Sequence, residues 1–128
     1  MKIAVEITPQ QLADIMTTVA ESSAVTYWCS AMKPAKRSRF QKRAEAMPGP
    51  WYASPDAYGD DFLIDVTEID GIGGAQDHRV NGGRLRAGLA LMAEKHGRHF
   101  GDLLADNSDS ITADVFLQCV ALGEVRYG

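Results

Sequence analysis

The segment from Ile111 to Leu122 constrains this chain most, because apolar side chains cover nearly every side of the helix that it predicts. Asp109 or Ser110 can cap that helix at its start, and Gly123 ends it. A helix that is apolar around most of its circumference is buried, either in a core or in an interface between subunits. We therefore expect the C-terminal region to lie at the centre of the fold. We also expect a homo-oligomer in which a second subunit covers part of this surface.

Capping residues and helical periodicity predict three further helices. The first begins at a capping box formed by Thr8 and Gln11, with Pro9 in the first helical position. Asn81 caps a later helix, in which Gly88 costs about 1 kcal/mol relative to alanine and is expected to allow a close backbone contact. The four predicted helices lie near residues 9–21, 82–96, 98–106 and 110–122.

Alternating apolar residues and β-forming side chains predict four strands. The second of these carries large apolar groups on both faces, which is typical of a central strand covered on two sides. Asp70 and Gly71 form a turn signal, so the last two strands are expected to pair as a hairpin. The predicted strands lie near residues 2–7, 24–32, 62–67 and 76–80. The fold class is therefore α+β, with a small antiparallel or mixed sheet packed by helices.

The length of 128 residues fits a single domain over 1–128, large enough to fold without disulfides or metals. The longest apolar runs fall far short of the roughly 20 residues needed to span a membrane. Glu6 stands where a signal peptide would need an apolar core, so we expect a cytoplasmic protein. Cys29 and Cys119 both lie in apolar patterns, and we expect two reduced, buried thiols.

The charge of the chain is strongly asymmetric. Residues 1–44 carry seven Lys and Arg against three Asp and Glu, whereas the rest carries six against fourteen. Residues 33–61 also hold four of the five prolines, and they predict a long, mobile, basic loop with a short helical turn near 40–47. Six basic residues in this loop, followed by two aromatic residues, are the candidate binding residues: Lys33, Lys36, Arg37, Arg39, Lys42, Arg43, Trp51 and Tyr52.

Cations next to aromatic side chains suit two kinds of partner. The loop over 33–52 could contact single-stranded nucleic acid by phosphate contact and base stacking, or it could dock on an acidic protein surface. A solvated loop whose aromatics pack back on the domain is the structural alternative. Duplex DNA is disfavoured, because the acidic remainder of the chain would repel the phosphate backbone.

Three short motifs that suggest catalysis or metal binding lack essential residues. The glycines around Gly73 lack the third glycine and following helix of a dinucleotide site, so a hairpin turn explains them better. The Asp and Asn cluster at 106–110 lacks the glycine and glutamate of a calcium loop and is better explained by helix capping. His96, His99 and Asp102 are interrupted by a glycine and have no further metal ligand at suitable spacing. We therefore expect no metal and no cofactor, and a binding protein rather than an enzyme, with a small hydrolase or transferase activity as the remaining alternative.

Three stretches together resemble a family of small uncharacterised proteins encoded by tailed phages and prophages. The likeness covers roughly the first 33 and the last 50 residues and leaves the basic loop outside. Ser22-Ser23 stands where the family usually has a glycine pair, and Leu122 stands where a phenylalanine is usual. The three stretches are Tyr27-Trp28-Cys29, the Asn81-Gly82-Gly83 segment running to His96 with Gly88-Leu89, and Thr112 to Gln118 closing on Gly123 to Gly128.

The resemblance implies a phage origin, and hence the cytoplasm of the host cell during infection, but it gives no mechanism. Small phage accessory proteins often inhibit host antiviral systems, either by binding a host protein or by sequestering a signal nucleotide. We therefore expect a non-enzymatic phage accessory protein that acts by binding, as an inhibitor of host defence. A module that contacts single-stranded nucleic acid through residues 33–52 is the alternative.

Overall fold

The computed structural model describes residues 6–128, which form an α+β fold with an antiparallel sheet and packed helices. The α-helices in this part of the chain are α1, Pro9–Glu21; α2, Arg39–Glu45; α3, Gly82–Lys95; α4, Gly97–Leu104; and α5, Ser110–Leu122. The strands are β1, Cys29–Pro34; β2, Leu63–Ile69; and β3, Ala75–Asn81. Two short 3-10 helices, Trp51–Ala53 and Pro55–Ala57, lie between α2 and β2. The predicted fold class is confirmed.

α5 lies at the centre of the fold. It contacts α1, α3, α4 and β3, and Phe116, Leu117 and Ala121 are fully buried within the chain. Its apolar composition is therefore explained by the core of one subunit. The apolar surface of α5 therefore no longer supports a homo-oligomer, which stays a prediction.

A glycine allows close contact between α3 and α5. A Cβ atom added to Gly88 on α3 would lie 2.5 Å from the Cα of Val120 on α5. Any side chain at this position would force the two helices apart, so the predicted close contact at Gly88 is confirmed.

The predicted helix termini are confirmed where capping chemistry defined them. Thr8 and Gln11 form the reciprocal capping box of α1, and the Asn81 side chain accepts a hydrogen bond from the backbone of Arg84 at the start of α3. Asp109 rather than Ser110 caps α5, and Gly123 ends it with a left-handed φ of 74°. None of the helices within residues 6–128 is both long and apolar enough to cross a membrane.

The sheet has the order β1-β2-β3, and both neighbouring pairs are antiparallel. Residues of β2 alternate between buried and partly exposed, so helices cover one face of the sheet and solvent reaches the other. β2 and β3 form the predicted hairpin, whose turn contains Gly71 and Gly73 with φ of 81° and 93°. Those φ values are left-handed, which favours glycine at both positions.

The predicted position of the second strand needs correction, and the first predicted strand cannot be compared in full. The strand predicted near 2–7 falls mostly outside the described residues, and Glu6 and Ile7 belong to no strand. The strand predicted near 24–32 starts only at Cys29, because residues 24–28 form turns in which the Cys29 backbone N–H donates to the Val25 carbonyl at 2.8 Å. Within the described residues β1 lies at the edge of the sheet and not at the predicted central position.

The segment over 33–61, predicted as a long mobile loop with a short helical turn, contains more regular structure than predicted. The segment contains the end of β1, α2 and both 3-10 helices, and the short helical turn predicted near 40–47 is confirmed as α2. Phe40 and Ala57 are 0% exposed and join the core. The sequence did not predict this structure, because prolines and glycines occur at the ends of short elements as well as in loops.

Candidate functional site

The basic segment is held in place by the inner side of α2. Ser38 caps α2 by accepting a hydrogen bond from the Gln41 backbone N–H at 3.0 Å. The Gln41 side chain in turn accepts from the backbone N–H of Arg37 at 2.8 Å. Phe40 and Ala44 are buried, so the opposite side of α2 faces solvent. The short helix therefore has a fixed orientation.

Of the six predicted basic residues, Arg39 and Lys42 lie on that exposed side, Lys36 and Arg37 lie in the turn before α2, and Lys33 lies in β1. They are exposed, and none of them forms an ion pair with an acidic residue within the described part of the chain. We call them the basic face: Lys33, Lys36, Arg37, Arg39 and Lys42. Because these side chains are exposed and outside the ion pairs of the described residues, their charges are available to an anionic partner.

Arg43 differs from the other five, because its guanidinium forms hydrogen bonds with other residues of the chain. Its Nε donates to Oδ2 of Asp61 at 2.9 Å, and its Nη2 donates to the Ala57 carbonyl at 3.1 Å. The hydrogen bond from Arg43 lowers the pKa of Asp61, so the pair is ionised at neutral pH. Arg43 therefore joins α2 to the segment before β2 and does not belong to the basic face.

The two predicted aromatic residues also contact other parts of the chain. The Trp51 ring meets the Phe40 ring edge-on, with centroids 5.7 Å apart, and it contacts Phe62. The Tyr52 hydroxyl donates to Glu21 of α1 at 2.9 Å. Both side chains are half-buried, so the segment presents cations without the stacking surface that the sequence suggested.

A buried cluster around Glu68 was missed by sequence reasoning. Glu68 is 8% exposed, and its carboxylate lies 2.8 Å from Nε2 of His78 on the neighbouring strand. It also accepts hydrogen bonds from Arg126, at 3.0 and 3.2 Å, and from the hydroxyl of Tyr127. The hydrogen bond from Tyr127 is the main cause that lowers the pKa of Glu68. These contacts join β2 to β3 and to Arg126 and Tyr127, so the cluster anchors the C-terminal tail to the sheet.

Residues of α5 hold the same tail from the other side. The Gln118 side chain accepts from the backbone N–H groups of Arg126 and Tyr127 at 2.8 and 2.9 Å. The Trp28 indole donates to Asp114 at 2.8 Å, and the Trp28 ring stacks on Tyr127 with centroids 5.9 Å apart. Sequence reasoning gave these residues as parts of separate stretches, and only the fold brings the stretches together.

A groove of about 750 Å³ lies between α1, α3, α4 and the segment before β2. Its floor is apolar, with Leu12, Leu85 and Leu89 buried and Phe100 half-buried. Its polar lining residues include Glu6, Asp60, Asn81 and Arg86. We call this feature the helical groove.

The motifs considered for metal and nucleotide binding have structural roles. The Asp70 carboxylate accepts hydrogen bonds from the backbone N–H groups of Ile72 and Gly74, both at 2.9 Å, and closes the hairpin turn. His99 lies 3.2 Å from the Thr112 hydroxyl. Within residues 6–128, no three His, Cys, Asp or Glu side chains gather in an arrangement suited to a metal ion.

Cys29 and Cys119 are both buried and unpaired, as predicted. Burial raises the pKa of both thiols, that of Cys119 to about 11. Since the thiolate is the reactive form, both sulfurs are poor nucleophiles at neutral pH.

No protein-family model, curated protein or solved structure shows significant similarity to this chain.

Proposed function

We propose that this protein acts by binding and not by catalysis, and that the basic face contacts an acidic surface of a partner protein. The observation that carries the proposal is the group of five exposed cations, which form no ion pair within the described residues and run from the end of β1 to α2, where the burial of Phe40 positions the helix. The resemblance to phage accessory proteins suggests the context, in which the partner is a host protein of an antiviral system and binding inhibits it.

The fixed position of the basic face favours a specific contact. Arg39 and Lys42 lie three residues apart on α2, so they point to the same side of the helix. A partner that meets a preorganised set of charges loses less conformational entropy than one that must order a mobile loop. Complementary charges also steer the encounter and raise its rate in a salt-dependent way.

The placement of Trp51 and Tyr52 favours an acidic protein over single-stranded nucleic acid. Nucleic-acid binding without sequence preference usually combines a basic groove with aromatic rings on which bases stack. Here both aromatic side chains pack on the core or on α1, so base stacking would have to come from elsewhere. The acidic remainder of the chain also repels a long phosphate backbone.

Fluorescence anisotropy with two labelled probes tests the proposal. One probe is a glutamate-rich peptide, and the other is a single-stranded oligonucleotide of equal net charge, prepared with and without bases. We expect the peptide to bind at low ionic strength and to weaken as salt rises, and we expect removal of the bases to leave oligonucleotide binding unchanged. Failure of the peptide to bind at low salt would overturn the proposal. Tighter binding of the oligonucleotide with bases would favour the nucleic-acid alternative.

A further inference from the structure

The C-terminal tail, residues 124–128, is held by side chains and not by secondary structure. Within residues 6–128, no hydrogen bond joins the backbone of the tail to another backbone group. The first three residues of the tail are exposed, and Tyr127 is half-buried. Gly123 ends α5 with a φ of 74° and connects the helix to the tail. A segment attached in this way can detach without breaking a helix or a strand.

The side chain of Gln118 on α5 binds the backbone of the tail. Gln118 is 1% exposed, and its Oε1 accepts hydrogen bonds from the backbone N–H groups of Arg126 and Tyr127, at 2.8 and 2.9 Å. Its Nε2 donates to the Tyr127 carbonyl at 3.2 Å. Because these are backbone groups, Gln118 recognises a peptide chain whatever side chains the chain carries.

The carboxylate of Glu68 on β2 selects the side chains of the bound segment. It accepts hydrogen bonds from Nη1 of Arg126, at 3.0 and 3.2 Å, and from the hydroxyl of Tyr127. His78 on β3 lies 2.8 Å from the same carboxylate, so Glu68 keeps one contact within the sheet when the tail is absent. A buried carboxylate held in this way favours a guanidinium and a hydroxyl, because both donate to it and one of them carries the opposite charge.

Two aromatic rings hold the ring of Tyr127. It stacks on Trp28 with centroids 5.9 Å apart, and it meets Tyr27 edge-on at 6.4 Å. The Trp28 indole and the Tyr27 hydroxyl both donate to Asp114, so these rings keep their positions without the tail. Aromatic walls with a few fixed polar groups are typical of ligand sites. We call this arrangement the tail slot, formed by Tyr27, Trp28, Glu68 and Gln118.

We infer that the tail slot is a binding site for a segment of a partner protein in which an arginine precedes a tyrosine, and that the chain's own tail occupies it in cis. The charge of the slot supports this assignment, because a segment that displaces Arg126 has to supply a cation for the buried carboxylate of Glu68. The slot uses no residue of the basic face, so the inference is independent of the proposed function.

A segment of a partner fits the slot better than the tail of a second copy. Five residues span at most about 17 Å, so exchange of tails between two copies requires the ends of their α5 helices to lie close together. The tail is tethered beside its own slot, where its effective concentration is on the order of millimolar. A partner segment therefore competes with the tail, and its apparent affinity rises when the tail is weakened.

Fluorescence anisotropy with a peptide that copies residues 123–128 tests the inference. The labelled peptide, Gly-Glu-Val-Arg-Tyr-Gly with both ends blocked, has no net charge and so no net attraction to the basic face. A control peptide has the arginine and the tyrosine in exchanged order. Arg126→Ala combined with Tyr127→Ala releases the tail. We expect the first peptide to bind this variant at least about tenfold more tightly than it binds the wild type, because the tail no longer competes. The control peptide should bind neither protein.

Val125→Ala is the matched control variant, because Val125 belongs to the tail but makes none of the hydrogen bonds in the slot. It should bind the peptide like the wild type. Tyr127→Ala alone keeps the ion pair between Arg126 and Glu68 and provides a milder release of the tail. Saturating peptide should raise the Tm of both released variants.

Three results would overturn the inference: equal affinity of the peptide for the wild type and the released variants, equal binding of the control peptide, or unfolding of both released variants that the peptide does not reverse. Sedimentation equilibrium of the wild type separates the two sources of the segment. We expect a monomer, and a dimer that the peptide converts to monomers would assign the slot to the tail of a second copy and overturn its assignment to a partner.

Discussion

The guanidinium of Arg43 forms a two-point contact with the carboxylate of Asp61, from Nε at 2.9 Å and from Nη2 at 2.5 Å. The pair joins α2 to the segment that enters β2, and it separates Arg43 from the five other basic residues of its stretch. A cluster of charges that is uniform in sequence therefore divides into one structural residue and one exposed face.

Removing Arg43 should destabilise the protein. Arg43→Ala leaves Asp61 and the Ala57 carbonyl without their donor, and we expect the free energy of unfolding to fall by about 1–2 kcal/mol, since both side chains of the pair are about a third exposed. Arg39→Ala is the control, and it should change the stability by less than about 0.5 kcal/mol. Urea denaturation measures both. Equal effects of the two substitutions would contradict this division of roles.

The contact between α3 and α5 predicts opposite effects for two glycine substitutions. Gly88→Ala should lower the free energy of unfolding by about 1–3 kcal/mol, because the new Cβ would lie 2.5 Å from the Val120 backbone. Gly101→Ala in α4 meets no atom within 4 Å and should raise it by about 0.4–1 kcal/mol through the entropy of the unfolded chain. Thermal unfolding followed by circular dichroism compares them. A neutral Gly88→Ala would show that the helices can separate without cost.

Stability should fall in acid partly through Glu68. Its pKa is lowered in the folded protein from 4.5, mainly by the hydrogen bond from Tyr127. Its contribution is therefore present above pH 4.5 and is lost as the pH falls through the lower folded value. Glu68→Gln should lower stability at neutral pH by about 2–4 kcal/mol and flatten the acid limb. Exposed Glu94, replaced by Gln, is the control. Unfolding midpoints between about pH 7 and pH 3 provide the measurement, and an unchanged acid limb in Glu68→Gln would contradict the assigned role.

The sequence predicted those elements whose ends are set by local chemistry. The Thr8–Gln11 capping box, the Asp109 cap and the glycine turn of the hairpin each depend on residues a few positions apart. The strand near 24–32 was misplaced because Trp28 has high strand propensity, yet its indole bonds to Asp114, which lies far along the chain. In this segment tertiary contacts outweigh the local preference for a strand.

The sequence located the basic residues of the candidate site, but it did not show which of them have a structural role. The basic residues were found because charge is visible in composition, whereas the partner of Arg43 lies eighteen positions away. The same limit hid the Glu68 cluster, whose members come from β2, β3 and the C-terminal tail. Pairings of this kind follow from sheet register and helix packing, which no local pattern encodes.

The most direct test of the central claim removes charge from the basic face and compares it with an equal removal elsewhere. Arg39→Ser combined with Lys42→Ser takes two exposed charges from α2, and Lys95→Ser combined with Arg98→Ser takes two exposed charges from the α3–α4 region. Both double variants should unfold within a few degrees of the wild type, because none of the four side chains forms an ion pair among the described residues.

The measurement is the affinity of each variant for the glutamate-rich peptide at low and at physiological salt. We predict that the affinity of the Arg39 and Lys42 variant for the peptide falls about tenfold at low salt and less at physiological salt, whereas the affinity of the control variant changes little. Equal losses of affinity in the two variants would show that only net charge matters and would contradict a defined basic face.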